Sequence, residues 1–182
     1  MADTTTYSKI REIVRVTRSL KACTIERLIG RLIEDAKENR NGFIYYRLTT
    51  NGTEKHVCSV SSVRRHIVFC EQLGFLTRDG EVELTRLAKL ARSREDFNAM
   101  LETQVIEYLD KHHIPFAMIE DLITSNKLSD PETLYNKLPN ATLSEDKFRK
   151  CLLLLSQAGN TLISYQKRMY LVNDGKPSST RR

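Results

Sequence analysis

Glycine is scarce, seven in 182 residues, which argues against the glycine-rich loops that cradle phosphates. The familiar chemical signatures are missing with it. There is no G-x-x-x-x-G-K-[ST], no Rossmann glycine pattern, no G-x-S-x-G and no H-E-x-x-H. Carboxylate neighbours such as Glu34-Asp35 and Glu120-Asp121 do not replace them, because adjacent positions on a helix diverge by about 100° and cannot both point into one site. A non-enzymatic protein is expected.

No apolar run approaches the roughly 20 residues that span a bilayer. The N-terminal MADTTTYSKI carries no apolar stretch of the kind a secretory signal uses. The expectation is an intracellular chain, cytoplasmic (nucleoid-associated) or nuclear, not secreted and with no membrane partner. The four cysteines, Cys23, Cys58, Cys70 and Cys151, include no C-x-x-C pair and read as reduced thiols that mostly fill core positions. His56, Cys58, His66 and Cys70 form an H-x-C…H-x-x-x-C set that is chemically compatible with tetrahedral zinc. Its spacing matches no common zinc module, and Cys70 already falls on the apolar side of its helix. No metal and no cofactor is expected. His112-His113 reads as a helix C-terminus, where the dipole favours imidazole.

Charge is present in quantity and unevenly placed. The hydrophobic fraction of 40% and charged fraction of 29% are those of an ordinary globular protein. The length suits one medium domain or two small ones. The net charge of +6 hides a pattern. Residues 1–99 hold 18 basic and 13 acidic side chains, residues 100–140 hold 3 and 7, and residues 141–182 hold 8 and 3. Two basic stretches thus flank an acidic one, a mild bias compatible with nucleic acid.

Apolar spacing predicts helices over about 7–20 and, from a Thr24 cap, about 25–39, with Ile25, Leu28, Ile29, Leu32 and Ile33 on one side. Two β-prone runs around Asn51-Gly52 predict a hairpin. Ser59 caps a helix over about 60–73, ended by Gly74. A second compact hairpin turns at Asp79-Gly80, and Thr85 starts another helix. The charged patch at 92–96 reads as a boundary, giving units of 1–94 and 95–172 and a flexible basic tail at 173–182. In the second unit the expected helices are about 100–112, from Pro115 to about 125, and 144–158, with one helical turn at 132–137. Strands at 161–165 and 169–172 close it. The order helix, helix, helix, hairpin occurs twice.

The run V60-x-x-V-R-R-H-I-x-x-C-x-x-L-G-F-L, followed by D79-G-x-V-x-L-T-x-L-A, resembles the winged helix-turn-helix superfamily. The likeness is good over 59–91, fair over 100–172 and poor over 1–58. It implies a mainly α fold with small β-hairpins, arranged as two winged-helix-like units. It also implies that a third helix enters the major groove while the following hairpin touches the backbone. Winged helices serve as protein-interaction modules too.

On a helical wheel Val60, Val63, Ile67 and Cys70 face inward, and Ser61, Arg65, Val68 and Gln72 face outward, with Ser62 and Arg64 flanking. Arg and Gln pair with guanine and adenine edges, and Ser with phosphate or base. No acid precedes Glu71 on this helix. The second candidate helix buries Phe148, Cys151, Leu152 and Leu155 and presents Asp146, Arg149, Lys150, Leu153 and Gln157. Glu145 and Asp146 at its start favour the dipole but repel phosphates. The tip around Arg78-Asp79-Gly80-Glu81 is near neutral, whereas Lys167 and Arg168 at the second tip suit a phosphate.

The expectation is therefore a protein that binds double-stranded DNA, a transcriptional regulator or a DNA-binding subunit of a larger complex. Ser61, Ser62, Arg64, Arg65, Gln72, Arg149, Lys150, Lys167 and Arg168 would make the contacts. The alternative is an interaction or scaffold subunit, with Leu153 and Val68 as exposed anchors and a protein partner or homodimer.

Overall fold

A computed structural model describes residues 6–38, 46–48, 55–57, 60–125, 130–165 and 167–172. The chain forms two compact units, Met1–Arg92 and Ser93–Arg182. It is mainly helical, with three small antiparallel two-stranded sheets among the described residues. No helix among those residues is long and apolar enough to cross a membrane.

In the first unit, α1 (Thr6–Leu20) buries Ile10, Ile13, Val14 and Thr17 at helical spacing. The Thr17 hydroxyl donates to the Ile13 carbonyl at 2.7 Å, so its burial leaves no orphaned polar group. α2 (Ile25–Glu38) starts where the Thr24 hydroxyl accepts the Arg27 N–H at 3.2 Å, satisfying a donor that the first turn leaves open. β1 (Tyr46–Leu48) and β2 (Lys55–Val57) pair antiparallel with Leu48 opposite Lys55. Asn51-Gly52 and Ser59 lie outside the described residues.

α3 (Val60–Gln72) packs Val63, Ile67, Phe69 and Cys70 into the core. It ends in a Schellman motif. Gly74, at φ 78°, donates to the Glu71 carbonyl, and the Phe75 N–H reaches the Cys70 carbonyl, both at 2.9 Å. Phe75 and Cys70 are both fully buried. The turn delivers the chain into β3 (Leu76–Asp79), which pairs with β4 (Glu81–Leu84) around Gly80 at φ 87°. Thr85 then caps α4 (Arg86–Leu90), accepting from the Ala88 N–H at 3.2 Å and donating to the Gly74 carbonyl at 2.8 Å. Arg18 closes the far end of α4 with 2.7 Å bonds to the Ala88 and Ala91 carbonyls, a cation where the dipole favours one. The link between α1 and α2 also joins the hairpin, because Cys23 and Val82 exchange both backbone hydrogen bonds at 3.1 and 2.7 Å.

The second unit opens on α5 (Arg94–Lys111), six residues before the expected start at 100. Ser93 and Asp96 form a capping box, and the reciprocal bonds turn a charged run that reads as a linker into the first turn of a helix. α5 ends with His113 at φ 62°, whose N–H reaches the Asp110 carbonyl while the Ile114 N–H reaches that of Leu109. Pro115 occupies the cap of α6 (Phe116–Thr124) and not its first turn. α7 (Pro131–Asn136) is capped by Asp130, and α8 (Glu145–Ala158) by Ser144. α8 packs on α5, α7 and β5 (Leu162–Tyr165). β5 pairs with β6 (Arg168–Leu171), Tyr165 standing opposite Arg168.

The order of three helices and a hairpin recurs with one insertion in each unit: the β1–β2 hairpin between α2 and α3, and α7 between α6 and α8. Two expectations fail on α3. Val60 is 52% exposed, since a wheel carries no axial coordinate and the first turn projects past the apolar layer formed by Val63 and Ile67. Val68 is half-buried and offers no exposed anchor.

Candidate nucleic-acid interface

The inward anchors of α3 fix what points outward. Ser61, Arg64, Arg65 and Gln72 are exposed and Ser62 is half-buried. Arg64 lies 3.6 Å from the Glu26 carboxylate on α2. Arg65 makes no ion pair with any described residue. The first acid of the helix is Glu71, and Arg78 on β3 already holds its carboxylate. The N-terminal turns of α3 therefore combine two arginines with the positive end of a helix dipole and no carboxylate of their own helix.

Three other cations of this unit, Arg15, Arg31 and Lys89, are held in ion pairs. Arg15 bonds Glu12 and Asp35, and Arg31 also bonds Asp35. The Glu12 hydrogen bond, with lesser help from Asp35, lifts the Arg15 guanidinium above its ordinary pKa against the opposing effect of burial. Lys89 pairs with Glu83 at 3.1 Å. These groups hold the unit's own surface together, whereas Arg65 faces solvent, as do Arg27, Arg86 and Arg92.

In the second unit Arg149 bonds Glu145 at 2.9 Å and Lys150 bonds Asp146 at 2.6 Å. Both pairs are one helical turn apart with the acid first, the favoured orientation, and they leave the outer face of α8 near neutral. Glu145-x-x-x-Arg149 and Asp146-x-x-x-Lys150 are legible in the sequence as such pairs. Lys167, at φ 64°, and the adjacent Arg168 are exposed at the β5–β6 turn and form no ion pair among the described residues. A shallow groove of about 280 Å³ is lined by Asp130, Arg149, Leu153, Ser164, Lys167 and Met169. The Asp130 carboxyl is held below its usual range by the Thr133 N–H and hydroxyl, with a smaller contribution from Arg149. The fold thus brings Arg149 and Lys167 to one groove.

Of the H-x-C…H-x-x-x-C set, Cys70 is fully buried on the core side of α3, while Cys58 and the His56 side chain lie outside the described residues. Cys23, Cys70 and Cys151 are buried and form no disulfide among the described residues, and burial pushes Cys151 up to about 12. Among the described residues no three His, Cys, Asp or Glu side chains are grouped to hold a metal ion. Two exposed tyrosines, Tyr165 and Tyr170, escape the sequence reading because the face they share appears only once the strand register is known.

No protein-family model, curated protein or solved structure matches the chain.

Proposed function

We propose that the protein is a non-enzymatic, double-stranded DNA-binding protein, a transcriptional regulator or DNA-binding subunit of a larger complex, built from two winged-helix-like units. α3 enters the major groove. One observation carries this reading: Ser61, Arg64 and Arg65 are exposed on the first two turns of α3, ahead of any acid on that helix. The three helices followed by β3–β4, with Cys23 adding a bridge to Val82, support the winged-helix layout.

The energetics favour exchange. An exposed ion pair such as Arg64–Glu26 is worth about 0–1 kcal/mol, and a bidentate arginine–guanine contact gives about 1–3 kcal/mol of discrimination. Arg64 can therefore leave Glu26 for the groove. Lys167 and Arg168 bind a neighbouring phosphate. Arg149 and Lys150 reach one only by exchanging Glu145 and Asp146, so they contribute less. Replacing Arg65 with Ala weakens binding by about 1–3 kcal/mol on the preferred sequence. An unchanged affinity on every duplex tested removes Arg65 from the site.

A second reading applies to α8 alone. Leu153 is 41% exposed on a face whose neighbouring charges are already paired, which suits a protein partner of an interaction subunit better than a phosphate. Weak duplex binding without a preferred sequence would favour it.

A further inference from the structure

The β5–β6 hairpin has two chemically different faces. Leu162 and Met169 are buried, β5 packing on α8 and β6 on α6. The register pairs Tyr165 with Arg168 and Ile163 with Tyr170. Since cross-strand partners share a face and alternate residues repeat it, Ile163, Tyr165, Arg168 and Tyr170 all lie on the outward side. Tyr165 is 62% exposed and Tyr170 43% exposed. They occupy diagonal positions, which in an antiparallel pair are about 7–8 Å apart, with Arg168 directly across from Tyr165. Residues 161–172 contain two cations, Lys167 and Arg168, and no acid.

We propose that this outward face is a stacking platform for unpaired nucleotides. Tyrosine rings accept the flat face of any base, and an arginine beside them adds stacking or a phosphate contact. Lys167, at the turn, meets the next phosphate. The occupant is unpaired because duplex bases spend both faces on their neighbours. It is nucleic acid because the face offers aromatic planes and positive charge, and neither strand nor the turn carries a carboxylate. The platform belongs to the second unit and does not depend on groove reading by α3.

The test titrates the full-length protein against labelled oligo(dT), oligo(rU) of equal length and an abasic deoxyribose-phosphate strand at one ionic strength. The chain has no tryptophan, so its intrinsic emission comes from tyrosine, and stacking quenches it. Base-bearing strands bind about tenfold or more tighter than the abasic one. Tyr165→Ala/Tyr170→Ala removes that advantage, and Tyr165→Phe/Tyr170→Phe keeps it. Equal affinity for dT and rU assigns base stacking alone, and a preference for rU adds the 2′-hydroxyl. Abasic binding as tight as oligo(dT), an unaffected Tyr→Ala double variant, or no binding of any strand overturns the platform. Loss of duplex binding alone overturns the α3 reading and not this one.

Discussion

Glu26, in the first turn of α2, holds its carboxylate 3.6 Å from the Arg64 guanidinium on α3. The acid is the group a phosphate or guanine must displace, and both partners are exposed. Its charge also opposes any phosphate approaching the start of α3.

Removing that competitor strengthens duplex binding. Glu26→Gln raises affinity by up to about fivefold, the ceiling set by an exposed pair worth no more than about 1 kcal/mol. In an Arg64→Ala background the gain shrinks. Anisotropy titrations of the four proteins in this cycle check it, and an equal gain in both backgrounds would show that Arg64 does not exchange.

Thr85 ties the end of α3 to the start of α4 through one hydroxyl, which donates to Gly74 and accepts from Ala88. Thr85→Val keeps the shape and loses both bonds, costing about 1–2 kcal/mol of stability. Urea unfolding reads the loss as a lower midpoint at unchanged slope. An unshifted midpoint would mean that this junction is held by packing alone.

His113 and Gly159 both sit in the left-handed region at helix ends, at φ 62° and 80°. The opposite substitutions have opposite signs. His113→Gly relieves a side chain in that conformation and stabilises by up to about 1 kcal/mol, while Gly159→Ala destabilises by about 1 kcal/mol. A Cβ added at Gly159 meets nothing within 4 Å, so the cost there is backbone conformation and not a clash. Thermal melts that move in the same direction for both would contradict this.

Glu102 on α5 gives a pH signature. Burial raises its carboxyl pKa against a hydrogen bond from Asn160, and its Oε2 has no hydrogen-bond partner among the described residues. The folded state therefore holds the proton more tightly than the unfolded chain. Its favourable contribution is present below the unfolded pKa and is lost as pH rises through the folded one. Glu102→Gln raises the unfolding midpoint at neutral pH and converges with the parent in acid. Parallel profiles across the range would place the carboxylate in solvent.

Much of the fold is legible in periodicity. The core positions of α1, α2 and α8 follow from apolar spacing, and the ends of α3 and α8 follow from Gly74 and Gly159. What escapes has physical causes. The start of α5 hides in a charged run because Ser93 and Asp96 satisfy each other's backbone rather than signalling apolar burial. Val60 fails because angular position says nothing of height along the helix. At the candidate site, Ser61, Arg65 and Gln72 on the outward side of α3 are readable from its buried partners, Val68 is not, and neither is Glu26, since a contact between α2 and α3 requires the tertiary fold. Arg149 and Lys150 attract attention by charge, and their pairs with Glu145 and Asp146 reduce it.

The most direct measurement is fluorescence anisotropy of the full-length protein on a randomised duplex pool at two salt concentrations, beside Arg64→Ala/Arg65→Ala. Salt-sensitive binding is predicted, with a log–log slope of about −3.6 for roughly four neutralised phosphates, and it is lost in the double variant. Absence of binding at low salt, or binding that the double variant retains in full, would contradict the assignment of α3 as the DNA-contacting helix.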